Sequence, residues 1–147
     1  MKKKNYIDIF NIQNKVELGL HTGYMWAKDP KHLLFTLSRY KFVSKMFDGF
    51  EKVLEVGAGD GFQSEIVESA VKKLILSDVE KKNQSEFLQR TKSKNKKKYL
   101  LLDFTKEKLN HLFDGIYLID VFEHISKKKQ NKFLSNLCKS LKKKELY

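Results

Sequence analysis

The chain has 147 residues, a net charge of +12, and 41% hydrophobic and 12% aromatic residues, which suits one folded domain with a single core rather than a disordered chain. One cysteine, Cys138, excludes an internal disulfide and a cysteine metal cluster, so no metal is expected. No apolar run approaches the roughly 18 residues that span a bilayer. Asp8, Asn11 and Gln13 interrupt any signal-peptide core behind the basic start MKKKNYIDIF, so the expected location is cytoplasmic.

Residues 1–30 show no strong periodicity, and the segment HTGYMWAKDP reads as a loop. Asp29-Pro30 then starts a helix, with aspartate as N-cap and proline at the first helical position. Leu33, Leu37, Tyr40, Val43 and Phe47 recur behind it at helical spacing, predicting a helix over 30–47 that Asp48-Gly49 ends. Strand and helix patterns alternate from there. Strands are expected at Lys52–Val56, Leu74–Ser77, Tyr99–Leu102 and Ile116–Phe122. Helices are expected at Gln63–Val71 (Ile66, Val67 and Ala70 inward), weakly at Glu86–Thr91, at Thr105–His111, and behind Ser126. The last of these presents Phe133, Leu134, Leu137, Cys138 and Leu141 to the core. Short apolar strands alternating with helices predict an α/β fold, a doubly wound, mainly parallel sheet with helices on both faces.

Lysine clusters at Lys2–Lys4, Lys92–Lys98, Lys127–Lys129 and Lys142–Lys144 carry much of the excess charge. Attraction to nucleic acid, anionic lipid or a phosphorylated substrate is one reading. Solvated surface is the favoured one, because Arg39 and Arg90 are the only arginines and arginine is the residue suited to bidentate phosphate and base recognition.

The first strand runs into VLEVGAGDGFQS, with Gly57, Gly59 and Gly61 within five positions. In parallel sheets such a turn meets the ligand beyond the carboxyl ends of the strands. A dinucleotide reader is G-x-G-x-x-G, and Phe62 stands where its last glycine belongs. No Gly-Lys-Ser/Thr follows, which excludes a P-loop.

The stretch Glu55-Val56-Gly57-Ala58-Gly59-Asp60-Gly61 resembles the first motif of the class I S-adenosylmethionine-dependent methyltransferases, and the resemblance covers about residues 50–141. It implies S-adenosylmethionine as cofactor. Glu55 would bind its ammonium, directly or through water. Gly57, Ala58, Gly59 and Gly61, with Phe62, would let the main chain approach the adenosyl and methionine parts. Asp78 lies 17 residues after Gly61; the resemblance gives it the two ribose hydroxyls, with Val79 beside it and Glu80 as the alternative if the register slips. Asp103 would meet the adenine amino group and Phe104 the ring. The stretch IYLIDVFEHI looks like the D-x-x-E-H motif of small-molecule methyltransferases, filled by Asp120, Glu123 and His124.

The implied reaction is methyl transfer to a small-molecule acceptor, a sugar or other cell-surface precursor. His124 is the candidate base, since a histidine titrates near neutrality. Asp120 is the candidate for orienting the acceptor or the methionine part. Residues 1–48 would form a helical or lid segment before the core of residues 49–147. His21, Tyr24, Met25 and Trp26 either close over the acceptor or pack the first helix onto the sheet. Arg39 either holds an anionic group of the acceptor or makes a structural ion pair.

The family has seven strands, and the last three are absent before Tyr147. The fourth strand is then expected at a sheet edge, which the N-terminal segment, a second copy or a partner chain would cover. Two alternatives follow: a non-catalytic cofactor-binding or partner subunit, and a nucleic-acid-binding protein or nucleic-acid methyltransferase. Against base methylation, the sequence has neither an N/D-P-P-Y/F motif nor a Pro-Cys pair.

Overall fold

A computed structural model describes residues 15–91, 98–110 and 112–143. Its centre is a sheet in the order β3-β2-β1-β4, formed by β1 (Val53–Val56), β2 (Leu74–Asp78), β3 (Lys98–Leu101) and β4 (Gly115–Leu118). Every pairing is parallel, with Val53 opposite Leu74 on one side and Gly115 on the other. The chain winds outward from β1 in one direction to β3 and then returns to place β4 on the other flank. That reversal creates a crevice beside β1.

Among the described residues there are five α-helices, α1 (Leu20–Lys28), α2 (Pro30–Met46), the single turn α3 (Glu65–Glu68), α4 (Lys81–Arg90) and α5 (Lys127–Ser140), and a short 3-10 turn, Phe122–His124. One face of the sheet packs Val53, Leu74, Leu76, Tyr99 and Tyr117 against Tyr40, Val67 and Phe87. The opposite face packs Leu54, Val56 and Ile75 against Phe104, Phe113, Phe133 and Leu137. Alternate strand residues therefore feed two cores, which is why these strands read as unbroken apolar runs. The Asp29-Pro30 start holds: Asp29 Oδ1 accepts from Lys31 N–H and His32 N–H at 3.0 and 3.3 Å.

Several local expectations are corrected. HTGYMWAK is helical, as α1. The helix predicted over 63–71 shortens to α3, whereas the weak one at 86–91 lengthens to α4. The described part of 105–111 is not helical; His111 lies outside the described residues. Asp103 Oδ1 accepts from Thr105 N–H and Oγ1–H, Asn136 Nδ2–H donates to Phe104 O, and Leu109 N–H donates to Ser140 Oγ. These bonds engage backbone groups that a helix would need. Asn136 and Ser140 thus take inward positions on α5, and Leu134 and Cys138 face solvent. β4 ends at Leu118 rather than Phe122, because Asp120 adopts φ 55° and cannot continue an extended strand.

Among the described residues the outer edge of β4 has no neighbour along Gly115–Leu118. Just before it, Phe113 pairs in parallel with Leu141, and Lys142 N–H donates to Phe113 O at 2.8 Å.

Candidate functional site

A cavity of about 520 Å³ opens at the carboxyl ends of the strands, a size and position suited to a small ligand. Val56, Gly57, Ala58 and Gly59 form its floor, and Asp78 and Val79 stand at the end of β2. Leu102 and Phe104 follow β3; Ile119, Asp120, Val121 and His124 follow β4. The N-terminal helices supply His21, Met25, Thr36 and Tyr40.

The glycine turn has the backbone that its residues require. Gly57 has φ 77°, and a Cβ there would lie 2.3 Å from Val121 Cγ2. Gly59 has φ 55°; its N–H donates to Asp78 Oδ2 at 3.0 Å, and its carbonyl accepts from Tyr99 O–H at 2.6 Å. The turn is thereby clamped from β2 and β3 and held ready for a ligand. Burial, together with nearby carboxylates led by Asp78, pushes the Tyr99 phenol well above its usual range. Asp78 also accepts from Glu80 N–H at 2.9 Å through Oδ1. Each of its oxygens keeps lone-pair capacity toward the cavity.

Asp60 is the functional residue that motif reading passed over, as a spacer between glycines. It is 3% exposed and accepts from Thr22 N–H at 2.7 Å, Thr22 Oγ1–H at 3.1 Å and Phe62 N–H at 2.9 Å. Thr22 lies in the first turn of α1, so Asp60 caps that helix from a distant part of the chain and fixes it over the cavity. The contact is so close that a Cβ on Gly19 would lie 2.2 Å from Asp60 Cγ. His21 Nε2 and Asn83 Oδ1, 3.0 Å apart, tie α1 to α4.

Glu55, the candidate ammonium ligand, is the penultimate residue of β1. It is 1% exposed and does not line the cavity. Tyr40 O–H donates to its Oε1 and Tyr117 O–H to its Oε2, both at 2.6 Å. Burial and then the Glu55 charge push both phenols well above the usual tyrosine range.

The remaining candidates divide. Phe104 and Val79 line the cavity. Asp103 does not, and instead caps the Phe104–Thr105 turn and pairs with Lys106 at 3.1 Å. Partial burial raises its pKa, but hydrogen bonds from Thr105 and Lys106 outweigh that and hold it below the usual carboxylate value. Phe62 lies under the Arg90 guanidinium, 5.7 Å from ring centroid to Cζ, outside the lining. Gly61 packs against Leu76 and Phe87.

Arg39 Nη1 pairs with Asp120 Oδ1 at 2.5 Å and Nη2 donates to Thr36 Oγ1 at 3.2 Å. The ion pair closes the rim between α2 and the loop after β4. His124 is exposed at the mouth. Tyr24 and Trp26, 65% and 58% exposed, face away from the cavity; the α1 residues that reach it are His21 and Met25. No group of acidic, histidine and cysteine side chains suited to a metal occurs among the described residues. No described helix is long and apolar enough to cross a membrane.

Residues 53–144 match the family model described as "Methyltransferase domain". No curated protein sequence matches the chain. Among solved structures, an S-adenosylmethionine-dependent methyltransferase from Clostridium acetobutylicum ATCC 824 aligns with a TM-score of 0.70 at 18% identity, over 84% of this chain and 53% of its own. N-methyltransferase NodS from Bradyrhizobium japonicum WM9, in complex with S-adenosyl-L-homocysteine, aligns with a TM-score of 0.63 at 22% identity, over 71% of this chain and 54% of its own. The [4+2]-cyclase SpnF aligns at 0.62 and 14%, over 72% of this chain and 41% of its own. At these identities the likeness shows the fold, and the chain spans about half the length of these proteins. A family match over most of the chain, on a sheet whose glycine turn opens at the strand-order reversal, decides membership: the chain belongs to the class I S-adenosylmethionine-dependent methyltransferases.

Proposed function

We propose that the chain binds S-adenosylmethionine in this cavity and transfers its methyl group to a small-molecule acceptor. The observation that carries the reading is the joint placement of the Gly57–Gly59 turn and the Asp78 carboxylate on one cavity, bonded to each other through Gly59 N–H. The residues present fit that cofactor. Val56, Leu102, Phe104 and Val121 give an apolar wall for adenine. Asp78 retains acceptor capacity for ribose hydroxyls, and a side chain at Gly57 would fill the floor. When bound, the cofactor supplies a methyl group already activated by the sulfonium.

The chain contributes position, exclusion of water and a proton acceptor. Asp60 and Asn83 hold α1 over the cavity, and Met25 and His21 narrow its mouth. Asp120, held by Arg39, orients the group that enters beside β4. His124 accepts the proton that an acceptor hydroxyl or amine must lose. Incubation with methyl-labelled cofactor and a panel of hydroxyl and amine acceptors tests the reading by following S-adenosylhomocysteine. Acceptor-dependent product that falls in His124→Ala is expected; no product with any acceptor would refute transfer by this chain.

Among the described residues no strand pairs with the outer edge of β4, which favours a second reading, a cofactor-binding domain completed by another copy or a partner polypeptide along that edge. Light scattering of the isolated chain decides it: a stable monomer with transfer activity removes this reading.

A further inference from the structure

The outward side of α2 is apolar where a surface helix is ordinarily polar. Lys31, Phe35, Ser38, Phe42 and Met46 follow one another at steps of three or four residues and so share one side of the helix. All five are exposed, with Phe35 at 68%, Phe42 at 65% and Met46 at 60%. Leu34, next to Phe35, is exposed as well. The opposite side of α2 is already in use: Leu33, Thr36 and Tyr40 are buried, and Thr36 and Tyr40 line the cavity. A single exposed leucine or phenylalanine is ordinary on a protein surface, whereas several along one helix side form a patch that marks an interaction site.

The charge around the stripe points to its partner. α2 holds Lys31, Arg39, Lys41 and Lys45 and no acidic residue. Arg39 pairs with Asp120. Lys31, Lys41 and Lys45 are exposed and take part in none of the ion pairs among the described residues. The preceding helix, α1, adds exposed Tyr24 and Trp26, and Lys28 Nζ lies 6.0 Å from the Tyr24 ring centroid. Apolar and aromatic side chains flanked by lysines fit the headgroup boundary of an anionic bilayer, where the rings enter the acyl margin and the ammonium groups meet lipid phosphates. A second copy would instead set these lysines against their own like charges, in a chain of net charge +12.

We propose that the outer face of α2 is a docking surface for an anionic membrane, on which the chain lies without crossing it. Co-sedimentation of the full chain with vesicles of equal parts phosphatidylcholine and phosphatidylserine, and with phosphatidylcholine alone, tests this. Saturable binding to the anionic vesicles is expected, at least about tenfold tighter than to the neutral ones. Phe35→Ser with Phe42→Ser keeps every charge and should weaken that binding about tenfold or more. A wild type that binds neither vesicle overturns the proposal. So does a phenylalanine pair that binds like wild type, since only diffuse attraction to lysines would then remain. Lys31→Gln with Lys45→Gln should weaken binding by more than Lys127→Gln with Lys128→Gln on α5; equal losses overturn the proposal, and this comparison decides if the phenylalanine pair fails to fold. Light scattering without lipid adds the last arm: a dimer that the phenylalanine pair disperses would place a second copy on the stripe and overturn the proposal.

Discussion

Replacing Tyr117 by phenylalanine keeps the ring in place and removes one of the two hydroxyl donors that hold the Glu55 carboxylate. The ring stays edge-on to Tyr40 at 6.3 Å and beside Phe47 at 6.0 Å, so packing changes little. Glu55 is 1% exposed, so water cannot replace the missing donor. A hydrogen bond to a charged group contributes about 1.5–3 kcal/mol. For a chain of this size, each kcal/mol lowers the melting temperature by about 2–4 °C, so a fall of roughly 3–12 °C is expected. The pH dependence adds a second signature. Burial and the Glu55 charge raise the Tyr117 pKa above 10.0 in the folded state. A group with a raised folded pKa contributes its stability in full below its unfolded value, and the contribution erodes as pH rises above about 10. The difference between wild type and Tyr117→Phe should therefore be constant from pH 7 to 9 and shrink above pH 10. Thermal melts followed by circular dichroism at pH 7 and pH 11 measure both. A melting temperature within about 1 °C of wild type at pH 7 would refute the claim that these hydroxyls hold a buried charge.

Gly57→Ala should lose about 1–3 kcal/mol of stability, from strain at φ 77° and from the close approach to Val121, and should bind cofactor poorly; melts and titration measure the two effects. Asp60→Ala removes the remote cap of α1, so hydrogen exchange at residues 20–28 should accelerate while the sheet stays protected; unchanged exchange in α1 would contradict the capping role. Asp114 is held below the usual carboxylate value first by its hydrogen bond from Lys142, with Lys52 N–H assisting and burial opposing. A depressed folded pKa gives stability that is present above the unfolded value of about 4 and is lost as pH falls through the folded one. Asp114→Asn should thus narrow its gap to wild type between pH 5 and pH 2, as acid melts will show.

What could be read from residues alone follows from how local each signal is. Asp29-Pro30, the apolar strand runs and the glycine turn act within a few positions; all appear where expected to within a residue, except that β4 stops at Leu118. Gly57 and Gly59 both adopt the positive φ that glycine accommodates most readily. The α1 helix was illegible because it is held by Asp60, 38 positions away, while its large apolar residues Tyr24 and Trp26 face solvent. Glu55 matched the family motif, yet its surroundings come from Tyr40, 15 positions upstream, and Tyr117, 62 positions downstream. The inner face expected for α5 did not include Asn136 and Ser140. They face inward because the irregular segment after β3 needs their hydrogen bonds. Motif residues were legible as types in order, and their roles depended on long-range partners.

Calorimetric titration with S-adenosylmethionine and S-adenosylhomocysteine, comparing wild type with Gly59→Val and Asp78→Ala, tests the central claim most directly. Both substitutions alter the clamped turn at the cavity floor. Saturable binding by the wild type, weakened at least about tenfold in each variant while the variants stay folded, is the predicted result. A well-folded wild type that binds neither ligand, or variants that bind as tightly as wild type, would contradict it.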